Sequence, residues 1–159
     1  MTCKETLLYL LKTSQFISDK LIDDVSEEDS LVRGRDQSNH IRWQVGHLVY
    51  FGKYILFLAG QGDESFRQLE GDFGYKSVVR DDGSGYLALA ELKEQLADVH
   101  RQLYEFVEKA SDGELDKIVD EKKGTPVAEQ IAFWSLHETY HAGQIIPVGK
   151  ALGRERPFG

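Results

Sequence analysis

In Trp134-Ser135-Leu136-His137-Glu138-Thr139-Tyr140-His141-Ala142-Gly143-Gln144-Ile145, an apolar side chain or a histidine returns every three or four positions. That is the period of a helix with one buried face, not the alternation of a strand. Val127 and Ile131 extend the stripe backward and Val148 extends it forward, with Thr125 placed to cap the helix and Pro126 suited to its first position, where no N–H is needed. Pro147 is expected to kink its last part. His137 and His141 stand one turn apart on the stripe, so both imidazoles are expected to face the interior on adjacent levels. One buried imidazole is satisfied by one hydrogen-bond partner, but two stacked on an apolar face compete for partners unless a cation sits between them.

Three further helices are expected upstream. Leu7, Leu8, Leu11, Phe16, Ile17, Leu21 and Ile22 mark the first; Ile41, Val45, Leu48, Phe51, Ile55 and Leu58 mark the second, with Ser38 or Asn39 as its cap and Gly60 and Gly62 as its stop. The third carries Leu89, Leu92, Leu96, Val99, Leu103 and Phe106 at near-heptad spacing, with Ser84 read as its cap. The polar run from Asp23 to Gln37, with Arg33-Gly34-Arg35 near its end, reads as a connection. Ser111-Asp112-Gly113-Glu114 matches a capping box and predicts one short turn through Leu115. Gln61 to Gly85 shows no sustained period, and Tyr75, Val78 and Val79 are its best candidates for a short packed piece. Roughly 25 residues can travel the roughly 30 Å of a 20-residue helix, so the expected fold is an all-α four-helix bundle with a long crossover between helices two and three. At 159 residues, one domain over 1–159 is expected.

Composition narrows the functional classes. Apolar residues make up 41% of the chain, with eight Phe, seven Tyr and two Trp, enough bulk to fill a bundle interior. A net charge of −8 argues against a phosphate-backbone partner, so no nucleic acid is expected. The apolar run Tyr50 to Gly60 is interrupted by Gly52 and Lys53, short of the roughly 20 residues of a membrane span. No secretion signal is visible, and the single Cys3, read as inert, suits a reducing compartment; the expected location is the cytoplasm.

His47 lies on the second helix, one turn from Trp43 and from Phe51, and is expected to meet His137 and His141 across the core. Three neutral imidazoles leave a coordination position open on a Zn²⁺-like ion, the pattern of reactive metal sites. His40, at the start of its helix, is expected to be exposed, and His100 half-exposed among charged neighbours. His137-Glu138-Thr139-Tyr140-His141 also matches HExxH, whose glutamate is the base of metallopeptidases. The longer peptidase pattern fails at Gln144 and Pro147, and residues 142–159 hold no histidine and only Glu155 as an acid. Glu138 is turned roughly 100° from His137, which predicts a solvated or helix-bridging carboxylate.

Asn39-His40-Ile41-Arg42-Trp43-Gln44-Val45-Gly46-His47-Leu48, followed far downstream by His137-x-x-x-His141-Ala142-Gly143-Gln144-Ile145, resembles the DinB-like superfamily over essentially the whole chain. The resemblance implies a four-helix bundle with metal ligands at His47, His137 and His141, close helix approach at Gly46 and Gly143, and a homodimer, which the aromatic Tyr50, Tyr54 and Phe57 would suit. It also implies metal-dependent chemistry on small-molecule thiols. The expected function is a thiol S-transferase, or a related hydrolase, using a divalent ion such as Zn²⁺ or Ni²⁺. The alternative from a different class is a non-catalytic metal-binding or stress-associated bundle.

Overall fold

The computed structural model describes residues 1–34, 38–155 and 158; Arg35, read as part of the first connection, lies outside them. Four long helices carry the core: α1 (Cys3–Ile22), α2 (Ile41–Leu58), α4 (Leu89–Lys109) and α6 (Val127–Ala151). Two short helices, α3 (Arg67–Phe73) and α5 (Asp112–Leu115), and a two-stranded ribbon, β1 (Ile118–Asp120) with β2 (Thr125–Pro126), fill the connections. The class is therefore all-α with a minimal antiparallel ribbon, in which Ile118 faces Pro126 and Asp120 faces Thr125. α1 packs on α6 and α4, and α2 packs on α4 and α6, around one contiguous apolar core. No helix among the described residues is long and apolar enough to cross a membrane.

The α4 stripe is buried throughout, as are Val127, Ile131, Trp134, Ile145 and Val148 of α6. α1 departs from expectation. Phe16 is 56% exposed, and its ring meets Phe158 instead, while Ser14 and Ser18 occupy the buried positions between Leu11 and Leu21. Seven-residue spacing from Leu7 to Ser14 to Leu21 sets the face, and serine is small enough to let α1 lie close to its neighbours. Ser14 Oγ donates to the Leu11 carbonyl at 3.2 Å, which satisfies it inside the core.

Helix starts are fixed differently from the sequence expectation in three of four cases. α1 has a capping box: Thr2 Oγ1 accepts from the Glu5 N–H at 3.2 Å, and Glu5 Oε2 accepts from the Thr2 N–H at 2.7 Å. α2 is capped neither by Ser38 nor by Asn39 but by His40, whose Nδ1 accepts from the Trp43 N–H at 3.1 Å. A ring accepting at Nδ1 carries its proton on Nε2, which donates to the Arg80 carbonyl at 3.1 Å. Both nitrogens being satisfied, His40 is fully buried rather than exposed. Pro126 occupies the cap position of α6 and Thr125 belongs to β2, because the ribbon holds this segment extended until Val127.

The start of α4 is capped from a distance. Ser84 ends up in the preceding turn, and the helix begins at Leu89 with no cap from its own flank. The Glu27 carboxylate instead accepts from the N–H groups of Leu89 and Ala90, at 2.9 Å each, and pairs with Arg42 at 2.6 Å. Glu27 thereby ties the first connection, α2 and α4 together. Slight burial works against its charged form, but the two N–H groups and Arg42 outweigh it and hold the carboxyl below the usual glutamate range.

The segment read as aperiodic contains a single 3-10 turn, Glu64–Phe66, running directly into α3. Seven residues make barely two turns, too few for a period to register. Its anchors are Phe66 and Phe73, both buried, whereas Tyr75 and Val78 are exposed and only Val79 is partly covered.

Glu27→Ala should lower stability by about 1–2 kcal/mol in denaturant melts at pH 7, while Glu28→Ala, whose side chain makes no cap hydrogen bond, should be near neutral. A carboxyl with depressed folded pKa stabilises above its unfolded value, so the difference between wild type and Glu27→Ala should shrink once pH falls below the ordinary glutamate value of about 4.3 and be lost through the lower folded one.

Candidate metal centre

α2 and α6 bring His47, His137 and His141 to one point. One ring nitrogen of each lies within 4.8 Å of the other two, a set that could hold a metal ion. His137 Nε2 stands 3.3 Å from His47 Nε2 and 3.0 Å from His141 Nε2. Tetrahedral zinc with Zn–N bonds of about 2.0–2.1 Å spaces its nitrogens roughly 3.3–3.4 Å apart, so these separations suit a shared ion.

The backs of two rings decide which nitrogens point inward. His47 Nδ1 lies 2.6 Å from the carbonyl of Phe73, which can only accept, so this nitrogen carries the proton. His141 Nδ1 lies 3.0 Å from Gln44 Oε1. The orientation of that amide is set by its other end, since Gln44 Nε2 donates to the Asn39 carbonyl at 2.8 Å. Both neutral rings therefore present Nε2 lone pairs to the centre. A proton on His137 Nε2 could serve one of them well but not both, and the other Nε2 lone pair would be left without a donor. A cation satisfies all three nitrogens, which is the fit of this donor set to a metal.

Burial keeps the rings unprotonated and ready to ligate. It pushes His137 down to about 4 and His141 to about 3, with the neighbouring imidazoles adding to the effect, and lowers His47 against the opposing pull of the Phe73 carbonyl.

Local packing shows why these positions are available. Trp43 stacks on His47 at 4.9 Å and 8°, and its Nε1 donates to the Asp72 carbonyl at 3.1 Å and Ser77 Oγ at 3.0 Å, which fixes the stack. At Gly46 an added Cβ would overlap the Phe73 ring, so this glycine lets α3 come close enough for its carbonyl to reach His47. Gly143 meets nothing within 4 Å, and its expected role in close helix approach within the chain is not realised.

His40 and His100 stay out of the group. His100 is buried rather than half-exposed: its Nε2 lies 2.7 Å from Glu138 Oε1, with side-chain exposures of 2% and 0%. Glu138 is thus helix-bridging, not solvated, because the 100° turn from His137 points it at α4 instead of outward. Its Oε1 is engaged by His100 and the carboxylate is fully buried, which sets it apart from the free base that an HExxH peptidase needs. Phe73, Gln44 and His100 went unassigned from sequence. A polar Gln44 on a buried helix face was the available signal.

The His137 side chain is partly exposed, although its Nδ1 is itself buried and has no hydrogen-bond partner among the described residues. The side of the cluster nearest the surface is the His137 side. A cleft of about 730 Å³ elsewhere, between the last turns of α1 and α6 and lined by Lys20, Leu21, Ile145 and Lys150, does not include the histidines.

A family model describing the DinB superfamily matches residues 10–145, and the chain belongs to that superfamily. A comparison with curated proteins gave no match.

Histidines held neutral below their ordinary value bind protons on unfolding, so the metal-free protein should be most stable above pH 6.5 and lose stability from there down toward pH 4, at up to about 1.4 kcal/mol per unit for each histidine titrating. Thermal melts in chelator at pH 7 and pH 5 read this directly, and His137→Gln together with His141→Gln should flatten the dependence.

Proposed function

We propose that this protein is a metal-dependent thiol S-transferase, or a hydrolase of closely related chemistry, with His47, His137 and His141 holding one divalent ion. The observation that carries the reading is the convergence of three imidazoles, two of them fixed from behind with Nε2 lone pairs inward, at a centre whose third histidine is partly exposed. When bound, an ion of the Zn²⁺ or Ni²⁺ type lowers the pKa of a coordinated thiol or water so that a nucleophile is available near neutral pH. Phe73 and Gln44 hold two rings in their ligating tautomer, Trp43 blocks one face of His47, and the position beside His137 admits the small-molecule substrate. Glu138, committed to His100, supports α6 against α4 and is given no proton-transfer role.

In the same reading the four long helices form a four-helix bundle of one domain, with residues 59–88 crossing between its ends; each long helix packing on two others supports this. A homodimer in a reducing cytoplasm completes the proposal. Tyr54 and Phe57 are only half covered by Phe66, and exposed Cys3 is free.

Metal analysis should find one equivalent in the wild type and in His40→Ala, and loss of stoichiometric binding in His47→Ala, His137→Ala and His141→Ala. With thiols and a haloarene electrophile, the metal-loaded protein should give the thioether, the thiol proton and halide leaving. Glu138→Gln should keep turnover within about tenfold, a barrier change of about 1.4 kcal/mol. Chelation should lower the melting temperature while helical circular dichroism persists; loss of most helix on chelation, with no turnover, would assign the metal a structural role and overturn the enzyme reading.

A further inference from the structure

The surroundings of the three histidines are aromatic on nearly every side. Phe51 meets His137 edge-on at 4.9 Å and Phe133 stacks on it at 5.9 Å and 9°, while the two phenyl rings lie 6.0 Å apart. Tyr140 stands 5.3 Å from the His141 ring and Tyr50 6.3 Å from the His47 ring. The wall reaches the surface beside His137: Phe133 and Tyr140 are 52% and 61% exposed. Gly143, one turn beyond Tyr140, leaves open space where a side chain would stand.

Cations are correspondingly scarce there. α6 carries no Lys or Arg between Val127 and Gly149, and its Lys150 lines the cleft that excludes the histidines. α2 has Arg42, engaged with Glu27 and Ser30, and Lys53, whose charge acts on Asp63 and Asp98 rather than on the histidines. A peptide thiol bearing two carboxylates would find no lysine or arginine beside the histidines on α6, and on α2 only Lys53, directed toward Asp63 and Asp98. A ring placed between Phe133 and Tyr140 would gain face and edge contacts beyond the apolar area it buries.

We propose that the thiol taken by this site is a neutral one with an aromatic body, its sulfur on the metal and its ring against Phe51, Phe133 and Tyr140. The proposal rests on the three histidines binding a metal that accepts thiols, and extends that reading to the substrate class.

Cobalt(II)-loaded full-length protein provides the test, because sulfur ligation produces a thiolate-to-cobalt absorption band that requires no turnover. Titration with benzyl mercaptan, 2-mercaptoethanol and glutathione should give a dissociation constant for benzyl mercaptan at least tenfold below those of the other two. Phe133→Ser and Tyr140→Ser, both at exposed positions, should bring benzyl mercaptan close to 2-mercaptoethanol with cobalt content unchanged. Equal affinities for all three thiols, or preference for glutathione, would overturn the aromatic-body assignment while leaving the metal-thiol reading intact. A wild-type dimer dissociated by Phe133→Ser, with the thiols binding alike, would show that a second copy covers the wall and would overturn it too. Cobalt bound with no thiolate band for any thiol would sink the thiol reading itself.

Discussion

Everything at the centre depends on two hydrogen bonds made on the far side of the imidazoles. The Phe73 carbonyl and Gln44 Oε1 each take an Nδ1 proton, and the opposite nitrogens of His47 and His141 are thereby obliged to offer lone pairs to the same small space. Three histidines at helical spacing could otherwise meet as a chain of donors and acceptors, which needs no ion. Here the tautomers forbid that chain, and the low proton affinity caused by burial keeps the rings from escaping by charging.

Those two hydrogen bonds exist because the connections are built as firmly as the helices. Phe73 reaches His47 only because α3 lies against Gly46, and the following segment returns to His40 through the Arg80 carbonyl. Arg80 also pairs with Asp72 at 2.7 Å, the residue whose carbonyl receives the Trp43 indole. A mutation in this segment, well away from His137 and His141 in sequence, would be felt at the histidine cluster through Phe73. On the opposite side, the buried His100–Glu138 pair links α4 to α6 between the two ligand-bearing turns, so α6 is held in rotation by a polar contact as well as by Trp134. Removing one partner of such a buried pair leaves the other without its hydrogen bond, at a cost of about 1–3 kcal/mol.

The long helices were legible because each repeats its apolar residues often enough for the 3.6-residue period to dominate. The convergence of the three histidines was legible for the same reason: His47, His137 and His141 sit on stripes whose direction the neighbouring Trp43 and Trp134 already specify. What was not legible was made by single contacts between distant segments. Glu27 capping α4, His40 capping α2 from a buried position, and the Phe73 carbonyl have no periodic signature, since one residue touches one partner. His100 and Glu138 were misplaced or left open by judging each against its own neighbours, when each is buried because the other is there. Phe16 shows the reverse error: its apolar character suggested burial, but the face had already been set by residues seven apart.

The central claim is that three imidazoles, and no carboxylate, hold one ion. X-ray absorption of the zinc-loaded protein counts them, because imidazole rings give characteristic multiple-scattering features. Three histidine nitrogens at about 2.0 Å, with the remaining scatterer an oxygen from solvent that sulfur replaces on adding thiol, is the predicted spectrum. One imidazole or none, or a shell completed by the Glu138 carboxylate, would contradict it.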